Sequence, residues 1–242
     1  MIPKKQIPWI VIIGVLLADQ VTKFLVKTSM TLGDSIHVFG DWFILHFTEN
    51  YGMAFGLEFS GEFGKLALSI LRIVAVIFIG WYLMRQVHKS APTGLIVCVS
   101  LILGGAIGNI IDSAFYGLVF SESHFNEVAE FLPKQGGYGA FLHGKVVDML
   151  YFPVIRTTLP EWLPIRGGEP FIFFRPVFNI ADSAITIGVL LLIIFQKQFF
   201  PAPKKQSSTT VLQSETGSGT ETGSGTEETY APDDTNTDQS SP

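Results

Sequence analysis

The sequence predicts an α-helical integral membrane protein with four transmembrane helices, a small extracytoplasmic β-sheet cradle and long outer-face loops. Of the 242 residues, 48% are hydrophobic and only 15% are charged, which is too apolar a balance for a soluble domain. Apolar runs long enough to cross a bilayer alternate with aromatic or polar segments. Residues 1–205 are accordingly predicted to form one membrane domain, and residues 206–242 a separate tail.

Four apolar runs supply the predicted transmembrane helices. Each has about 20 residues, the length that a helix needs to span the hydrocarbon core. They cover residues 8–26, 66–84, 93–114 and 177–195. The first run follows Lys4 and Lys5 as a secretory signal would, but no small-residue cleavage site comes after it. It is therefore predicted to remain as a helix.

Two outer-face segments, about 27–63 and 115–174, connect these runs. In the first, the aromatic and β-branched stretches 36–39 and 42–47 flank Gly40 and Asp41, a pattern that predicts a hairpin. The second is interrupted by glycine pairs and prolines, so it cannot contain a spanning helix. The first segment is expected to form a small sheet outside the membrane.

The basic residues predict the orientation in the membrane. Seven basic residues flank the apolar runs on one side: Lys4, Lys5, Arg85, Lys89, Lys197, Lys204 and Lys205. By the positive-inside rule this side is cytoplasmic, so both termini of a multi-pass protein are expected there. The opposite ends of the helices are then expected near the outer membrane–water interface.

The tail, 206–242, is rich in Ser, Thr, Gly and Glu and repeats Glu-Thr-Gly-Ser-Gly-Thr. Such a composition cannot bury a core, so a disordered, acidic, cytoplasmic tail is expected. It also accounts for the negative net charge of −5. No basic stripe suits nucleic acid, and the single cysteine, Cys98, excludes a disulfide framework.

Two aspartates are candidate catalytic residues. Asp182 is placed one to two turns inside the fourth apolar run, where a carboxylate is costly and normally faces a protein interior or water. Asp148, in Val146-Val147-Asp148, is predicted to lie on the same outer side. Two adjacent carboxylates that share one proton can hydrolyse a peptide with water, one accepting a proton and the other donating one. Such a pair titrates as a unit, so neither role is assigned to one residue.

Other polar residues in the apolar runs leave structural alternatives open. Asp19 and Lys23 are four residues apart and can simply pair with each other. Asn109 and Asp112 share a helix face, where polar groups can merely hold helices together. Gly104 and Gly108 form a small-residue face that allows close helix packing.

Taken with their order along the chain, these residues resemble the lipoprotein signal peptidases, the signal peptidase II family of bacterial membrane aspartic peptidases. Five motifs carry the resemblance: Asp19 with Lys23; Asn50, Gly52, Ala54 and Phe55; Gly104, Gly105, Gly108, Asn109 and Asp112; Val146-Val147-Asp148; and Phe178, Asn179, Ala181 and Asp182. They extend over nearly the whole chain before the tail.

The resemblance implies an endopeptidase of the bacterial cytoplasmic (inner) membrane. It would remove signal peptides from prolipoproteins just before a diacylglyceryl-modified cysteine, using Asp148 and Asp182 and no metal or cofactor. Lipidated prolipoproteins and membrane lipids are the implied partners, and a monomer is expected. Substrate binding or orienting roles are implied for Asn50, Asn109, Asp112, Asn179, Asp19, Lys23, Gly52, Phe55, Gly105, Gly108 and Ala181.

Two features depart from the family pattern. The segments between Asp112 and Asp148 and between Asp148 and Asp182 are longer than is usual in the family, and they are expected to form an enlarged outer-face cradle or lid.

The second departure is a single residue. The family usually has arginine after the aspartate of the third helix, and this chain has Ser113. Arg72 and Arg175 are the candidates to replace it.

Other functions fit the residues less well. No Gly-x-Ser-x-Gly elbow or His-Glu-x-x-His motif is present, and the five histidines are scattered. A proton-coupled transporter with a relay through Asp19, Asp112 and Asp182 is the main alternative, but internal repeats are lacking. A non-catalytic lipid-binding scaffold is the third hypothesis.

Overall fold

The computed structural model describes residues 3–50, 61–162, 164, 165 and 167–200. The helices are α1 (Ile7–Ser29), α2 (Gly61–His88), α3 (Thr93–Ile111), α4 (Gly117–Val119), α5 (Ile180–Ile194) and α6 (Gln196–Phe199), with a π-helical turn at Asp112–Tyr116. The strands are β1 (Ser35–Phe39), β2 (Phe43–Asn50), β3 (Val146–Tyr151), β4 (Ile155–Thr158), β5 (Pro170–Phe173) and β6 (Val177–Phe178).

Among the described residues, three helical stretches are long and apolar enough to span a membrane: Ile7–Ser29, Ser69–His88 and Thr93–Val119. The third continues past the predicted end at residue 114, because the π-helical turn and α4 extend α3. The predicted start of the fourth run was wrong. Val177 and Phe178 pair as strand β6, so only the 15 residues Ile180–Ile194 form α5. Asp182 therefore lies in the first turn of this helix rather than one to two turns inside it.

Helix α3 is the centre of the helical part, with α1, α2 and α5 packed around it. The core between α1, α2 and α3 is aliphatic and includes Ile12, Leu83, Leu95, Ile96 and Leu103. Large apolar side chains on the outer faces of the same helices remain exposed. Such a distribution suits helices whose outer faces meet lipid rather than water.

A four-stranded antiparallel sheet with the order β1-β2-β3-β6 forms the non-helical part next to the site. The hairpin predicted around Gly40 and Asp41 is present as β1 and β2. Thr48 of β2 lies opposite Asp148 of β3, and Leu150 of β3 lies opposite Phe178 of β6. Strand β6 leads directly into α5, so the sheet fixes where that helix begins. Strands β4 and β5 form a separate hairpin.

The stretch between α4 and β3 is held by a second apolar core. This core joins the end of α1 to the sheet through Val26, Phe47, Phe120 and Met149, among others. An isolated bridge pairs Phe120 with Phe131. The long segment after α3 is thus packed against the same end of the helices as the sheet.

Candidate active site

Glycines of α3 let two neighbouring helices approach it closely. A Cβ on Gly104 would lie 3.3 Å from a Cα atom of α1, and one on Gly105 would lie 2.3 Å from the backbone oxygen of Ala181. A Cβ on Gly108 would lie 2.8 Å from Oδ2 of Asp19 and 3.2 Å from the Cβ of Ala181. The small-residue face predicted from the sequence therefore contacts two helices, α1 and α5, and allows both to lie close to α3.

Asp19, Lys23 and Asp112 form a fully buried ionic cluster. The ammonium of Lys23 lies 2.8 Å from Asp19 Oδ2 and 2.7 Å from Asp112 Oδ2. It also donates to Oδ1 of Asn109 at 2.9 Å. All three charged side chains have no exposed surface, and buried charges persist only when they are paired and hydrogen-bonded. Asp19 and Lys23 pair with each other, as the structural alternative in the sequence analysis expected. The pair is part of a larger cluster that includes Asp112, at the end of α3.

The start of α5 is held by two side chains from the predicted set. Asn179 caps the helix, its Oδ1 accepting from the backbone N–H of Asp182 at 2.8 Å. Oδ1 of Asp19 accepts from the backbone N–H of Ala181 at 2.9 Å. Asp182 is thereby fixed in the first helical turn, where the helix dipole favours a negative charge.

Asp148 projects from β3 and is 4% exposed. Asn50, at the end of the neighbouring strand β2, donates its side-chain amide to Oδ2 of Asp148. Asn179 donates to the other carboxylate oxygen, Oδ1, at 2.7 Å. Both oxygens of Asp148 are thus held by amides from adjoining elements.

Two asparagine side chains bridge the two aspartates. Asn179 donates to Asp148, as described, and also to Oδ1 of Asn109 at 3.1 Å. Asn109 in turn donates its Nδ2 to Oδ1 of Asp182 at 2.7 Å. The continuous series Asp148, Asn179, Asn109 and Asp182 is called the amide bridge below. It brings residues from β3, α3 and the start of α5 into one constellation.

The environment of Asp148 favours its protonated form. Burial, followed by the nearby charge of Asp182, raises the pKa of the Asp148 carboxyl from 3.8 to about 7. The amide of Asn179 acts in the opposite direction, since a donor stabilises the ionised carboxylate. Burial is the larger effect, so a proton is available on this side chain near neutral pH.

Asp112 ties the end of α3 to the strand that carries Asp148. Its Oδ2 accepts from the backbone N–H of Val147 at 3.3 Å, and its Oδ1 accepts from the side-chain amide of Gln20 at 2.9 Å. Gln20 also donates to Oδ2 of Asp19 at 3.1 Å. Asp112 therefore positions β3. Gln20, which the sequence analysis did not single out, adds hydrogen bonds to the two buried carboxylates.

A second buried ion pair was also missed. Lys27 has no exposed surface, pairs with Glu49 and donates to the hydroxyl of Ser123 at 2.7 Å. It fixes the segment after α4 to α1 and β2. The sequence contains a pattern that could have identified Lys27, because Asp19, Lys23 and Lys27 recur every fourth residue along one face of α1.

Some of the predicted residues cannot be placed. Gly52, Ala54 and Phe55 lie in 51–60, outside the described residues. Within the described part of the chain, no group of three or more metal-ligating side chains is positioned to hold a metal ion.

Comparison with known proteins identifies the family. The family model described as "Signal peptidase (SPase) II" matches residues 11–198. The chain belongs to this family. Signal peptidase II enzymes are proteases, and the matched range contains both aspartates, the amide bridge and the ionic cluster of Lys23.

Relatives and a solved structure agree with the assignment to the signal peptidase II family. A lipoprotein signal peptidase of Porphyromonas gingivalis is 50% identical over 194 residues, which cover 80% of this chain and 84% of that protein. One of Amoebophilus asiaticus is 37% identical over 203 residues, covering 81% and 80%. A solved structure described as a bacterial membrane enzyme, determined in meso at 2.3 Å, is similar with a TM-score of 0.52 and 26% identity, covering 82% and 93%.

Proposed function

We propose that this chain is a membrane aspartic endopeptidase that removes the signal peptide from diacylglyceryl-modified prolipoproteins by cleaving just before the lipidated cysteine. The observation that carries the proposal is the convergence of Asp148 and Asp182 through the amide bridge. Two acids from a strand and a helix, joined by oriented amides and able to share one proton, can hydrolyse a peptide with water and without a metal or a covalent nucleophile.

The proposed mechanism uses one proton on the carboxylate pair. The ionised carboxyl accepts a proton from water as the water oxygen attacks the scissile carbonyl, and the protonated carboxyl donates to the carbonyl oxygen. The pKa of Asp148 of about 7 supports a singly protonated pair near neutral pH. Because the two groups interact, the proton belongs to the pair rather than to one residue.

The position of the pair suits a lipidated substrate. Asp182 lies in the first turn of an apolar helix, and Asp148 lies in the sheet that adjoins the same helix end. The scissile bond would therefore bind at the membrane–water interface while the diacylglyceryl chains of the cysteine remain in the bilayer. Exposed apolar side chains on α2 and α5, such as Ile77 and Ile187, provide lipid-facing surfaces beside this position.

The contacts of the other carboxylates favour this function over a proton relay. Asp19 and Asp112 are both bound to the same ammonium, that of Lys23, and neither has exposed surface. A relay needs groups that exchange protons along a path, whereas these two are fixed in an ion pair. Their contacts with Ala181 and Val147 instead position the elements that carry the aspartate pair.

The proposal also covers the oligomeric state of the enzyme, its membrane and its orientation there. We propose a monomer in the bacterial cytoplasmic (inner) membrane, with both termini in the cytoplasm and the active site near the outer interface. The basic residues that flank the apolar runs on one side support this orientation. The tail, 206–242, would lie across the membrane from the site and should not take part in cleavage.

A cleavage assay tests the proposed activity. Purified enzyme in detergent micelles should cut a diacylglyceryl-modified prolipoprotein before its modified cysteine, as located by mass spectrometry of the released peptide. The same precursor without the lipid is the matched control and should be cut far more slowly. Equal cleavage of both precursors, or none of either, would contradict the proposal.

A further inference from the structure

Helix α2 carries an arginine that the mechanism above does not use. Arg72 lies in the membrane-spanning part of the helix, Ser69–His88, and is half-buried. A charged side chain at such a position is costly unless it faces the protein interior or water. The side of α2 on which Arg72 lies therefore bears on the function of this residue.

The spacing of residues along α2 shows that Arg72 is on the inward face. Val76, Ile79 and Leu83 pack into the core with α1 and α3, and Leu83 is 2% exposed. Arg72 precedes them by four, seven and eleven residues, the spacing of one helix face. The neighbouring position Leu71 is 64% exposed and belongs to the lipid-facing side.

The outer end of the same face meets the end of α3. The hydroxyl of Ser69, one turn before Arg72, donates to the backbone oxygen of Leu142 at 3.3 Å. The N–H of Leu142 donates to the backbone oxygen of Ala114 at 3.4 Å. This connection places the inward face of α2 beside the π-helical turn that begins at Asp112.

Three carboxylates act electrostatically on the guanidinium of Arg72. They are those of Asp182, Asp112 and Asp148, which include both members of the aspartate pair. Arg175, the other arginine considered from the sequence, is exposed and lines a groove of about 470 Å³ together with His37 and His46. Of the two arginines, Arg72 is the one that the fold directs towards the site.

Arg72 can supply a positive charge that the other groups around the aspartate pair do not. Among the described residues, the charged groups around the pair of Asp148 and Asp182 are Asp19 and Lys23 of α1, Arg72 of α2 and Asp112 at the end of α3. The ammonium of Lys23 is already bound by two carboxylates. Ser113, where the resemblance predicts an arginine, is uncharged, and its hydroxyl donates to the backbone oxygen of Asn109 at 3.1 Å.

Resting on the peptidase function proposed above, we propose that Arg72 is a positioning residue that supplies the counter-charge of the Asp148 and Asp182 pair and stabilises its singly ionised form. The positive charge that the family pattern places after the third-helix aspartate then reaches the pair from α2. Without this charge, negative forms of the pair are less stable, so a higher pH is needed to remove its first proton.

The pH dependence of kcat/KM on a lipidated precursor tests this role. In Arg72→Gln the acid limb should move to higher pH by about 0.5 to 1 unit, a 3- to 10-fold loss on the acid side. Arg72→Lys keeps the charge and should restore most of the wild-type profile. Arg72→Met is a second neutral variant, whose apolar side chain suits a membrane helix if the glutamine variant folds poorly. Arg85→Gln is the matched control at the other end of α2, where Arg85 lies over the ring of Trp81, and its profile should not move.

The outcomes separate this proposal from the proposed function. If neutral variants lose activity equally at every pH, or keep the wild-type limb, Arg72 does not tune the pair and the proposal is overturned. A shift in Arg85→Gln as large as in Arg72→Gln would overturn it as well. If the wild-type enzyme cleaves the precursor while the Arg72 profiles do not move, only the role of Arg72 fails. If the wild-type enzyme does not cleave it, the peptidase function itself fails.

Discussion

Lys23 Nζ lies 2.9 Å from Oδ1 of Asn109. This contact connects the buried ionic cluster to the amide bridge, because the nitrogen of the same asparagine amide donates to Asp182. An ammonium on the amide oxygen polarises the group and strengthens its N–H as a donor. Lys23 therefore has two effects, since it neutralises Asp19 and Asp112 and it also orients the amide that holds Asp182.

Replacing Lys23 with methionine should be strongly destabilising. The change leaves two buried carboxylates without their counter-charge, and breaking a buried ion pair typically costs about 3 to 5 kcal/mol. Thermal unfolding in detergent would measure the loss. Lys5→Met is the control, since Lys5 is exposed just before α1, and a surface change of this kind should stay within about 0.5 kcal/mol. Equal stability of the two variants would contradict the ion-pair cluster.

Asn179→Ala should lower kcat strongly while it lowers the free energy of unfolding only modestly. It removes the amide that joins Asp148 to Asn109 as well as the cap of α5. Loss of a side chain that orients a reactive group commonly costs about 10- to 100-fold in activity, as for partners of metal ligands, while a lost cap costs about 1 kcal/mol.

The matched control for Asn179 is Ser183→Ala. Ser183 follows Asp182, but its hydroxyl only donates to the backbone oxygen of Asn179 at 2.8 Å. Its kcat should remain close to that of the wild type in the same cleavage assay. Similar kcat values for both variants would mean that the amide bridge does not serve catalysis.

Sequence analysis singled out most of the residues that the structure brings together, but not the contacts between them. Asp19, Lys23, Asn109 and Asp112 could be singled out because polar groups in apolar helices are costly and stand out, whereas Asn179 was singled out through the resemblance. That Asn179 joins Asp148 to Asn109 could not be predicted, since the contact depends on strand β6 pairing with β3.

The same strand explains the error in the fourth run. Val177 and Phe178 are as apolar as the helix that follows them, so no change in composition marks the boundary. Their pairing with Tyr151 and Leu150 is a long-range interaction that local patterns do not record. The extension of α3 beyond residue 114 was missed because the mixed sequence of the next segment conceals one more helical turn.

Asp148→Asn should stabilise the protein more at alkaline than at acid pH. The pKa of Asp148 in the folded protein is about 7, against an ordinary value of 3.8. Ionisation of this group therefore opposes folding increasingly as the pH rises from about 4 to 7. Asparagine does not ionise, so relative to the wild type its stability should increase across this window by about 2 to 4 kcal/mol.

Thermal unfolding of both proteins at pH 4.5, 6 and 8 would measure this trend. Asp34→Asn provides the control. Bonds from the hydroxyl and backbone N–H of Thr31 hold the pKa of the exposed Asp34 below its usual value of 3.8, so this group stays ionised over the measured range and the stability difference of the variant should not change with pH there. A stability difference for Asp148→Asn that does not depend on pH would contradict the raised pKa.

Cleavage of a lipidated precursor by Asp148→Asn, Asp182→Asn and the double variant tests the proposed aspartate pair most directly. Asparagine keeps the shape of the side chain but cannot exchange a proton, so each single variant should lose at least about 10²- to 10⁴-fold in kcat. The double variant should be little worse than either one, because residues that act as a unit are not additive. Each variant should still bind the lipidated precursor. Near-normal cleavage by Asp182→Asn, with activity lost in Asp112→Asn or Asp19→Asn instead, would contradict the assignment of the pair.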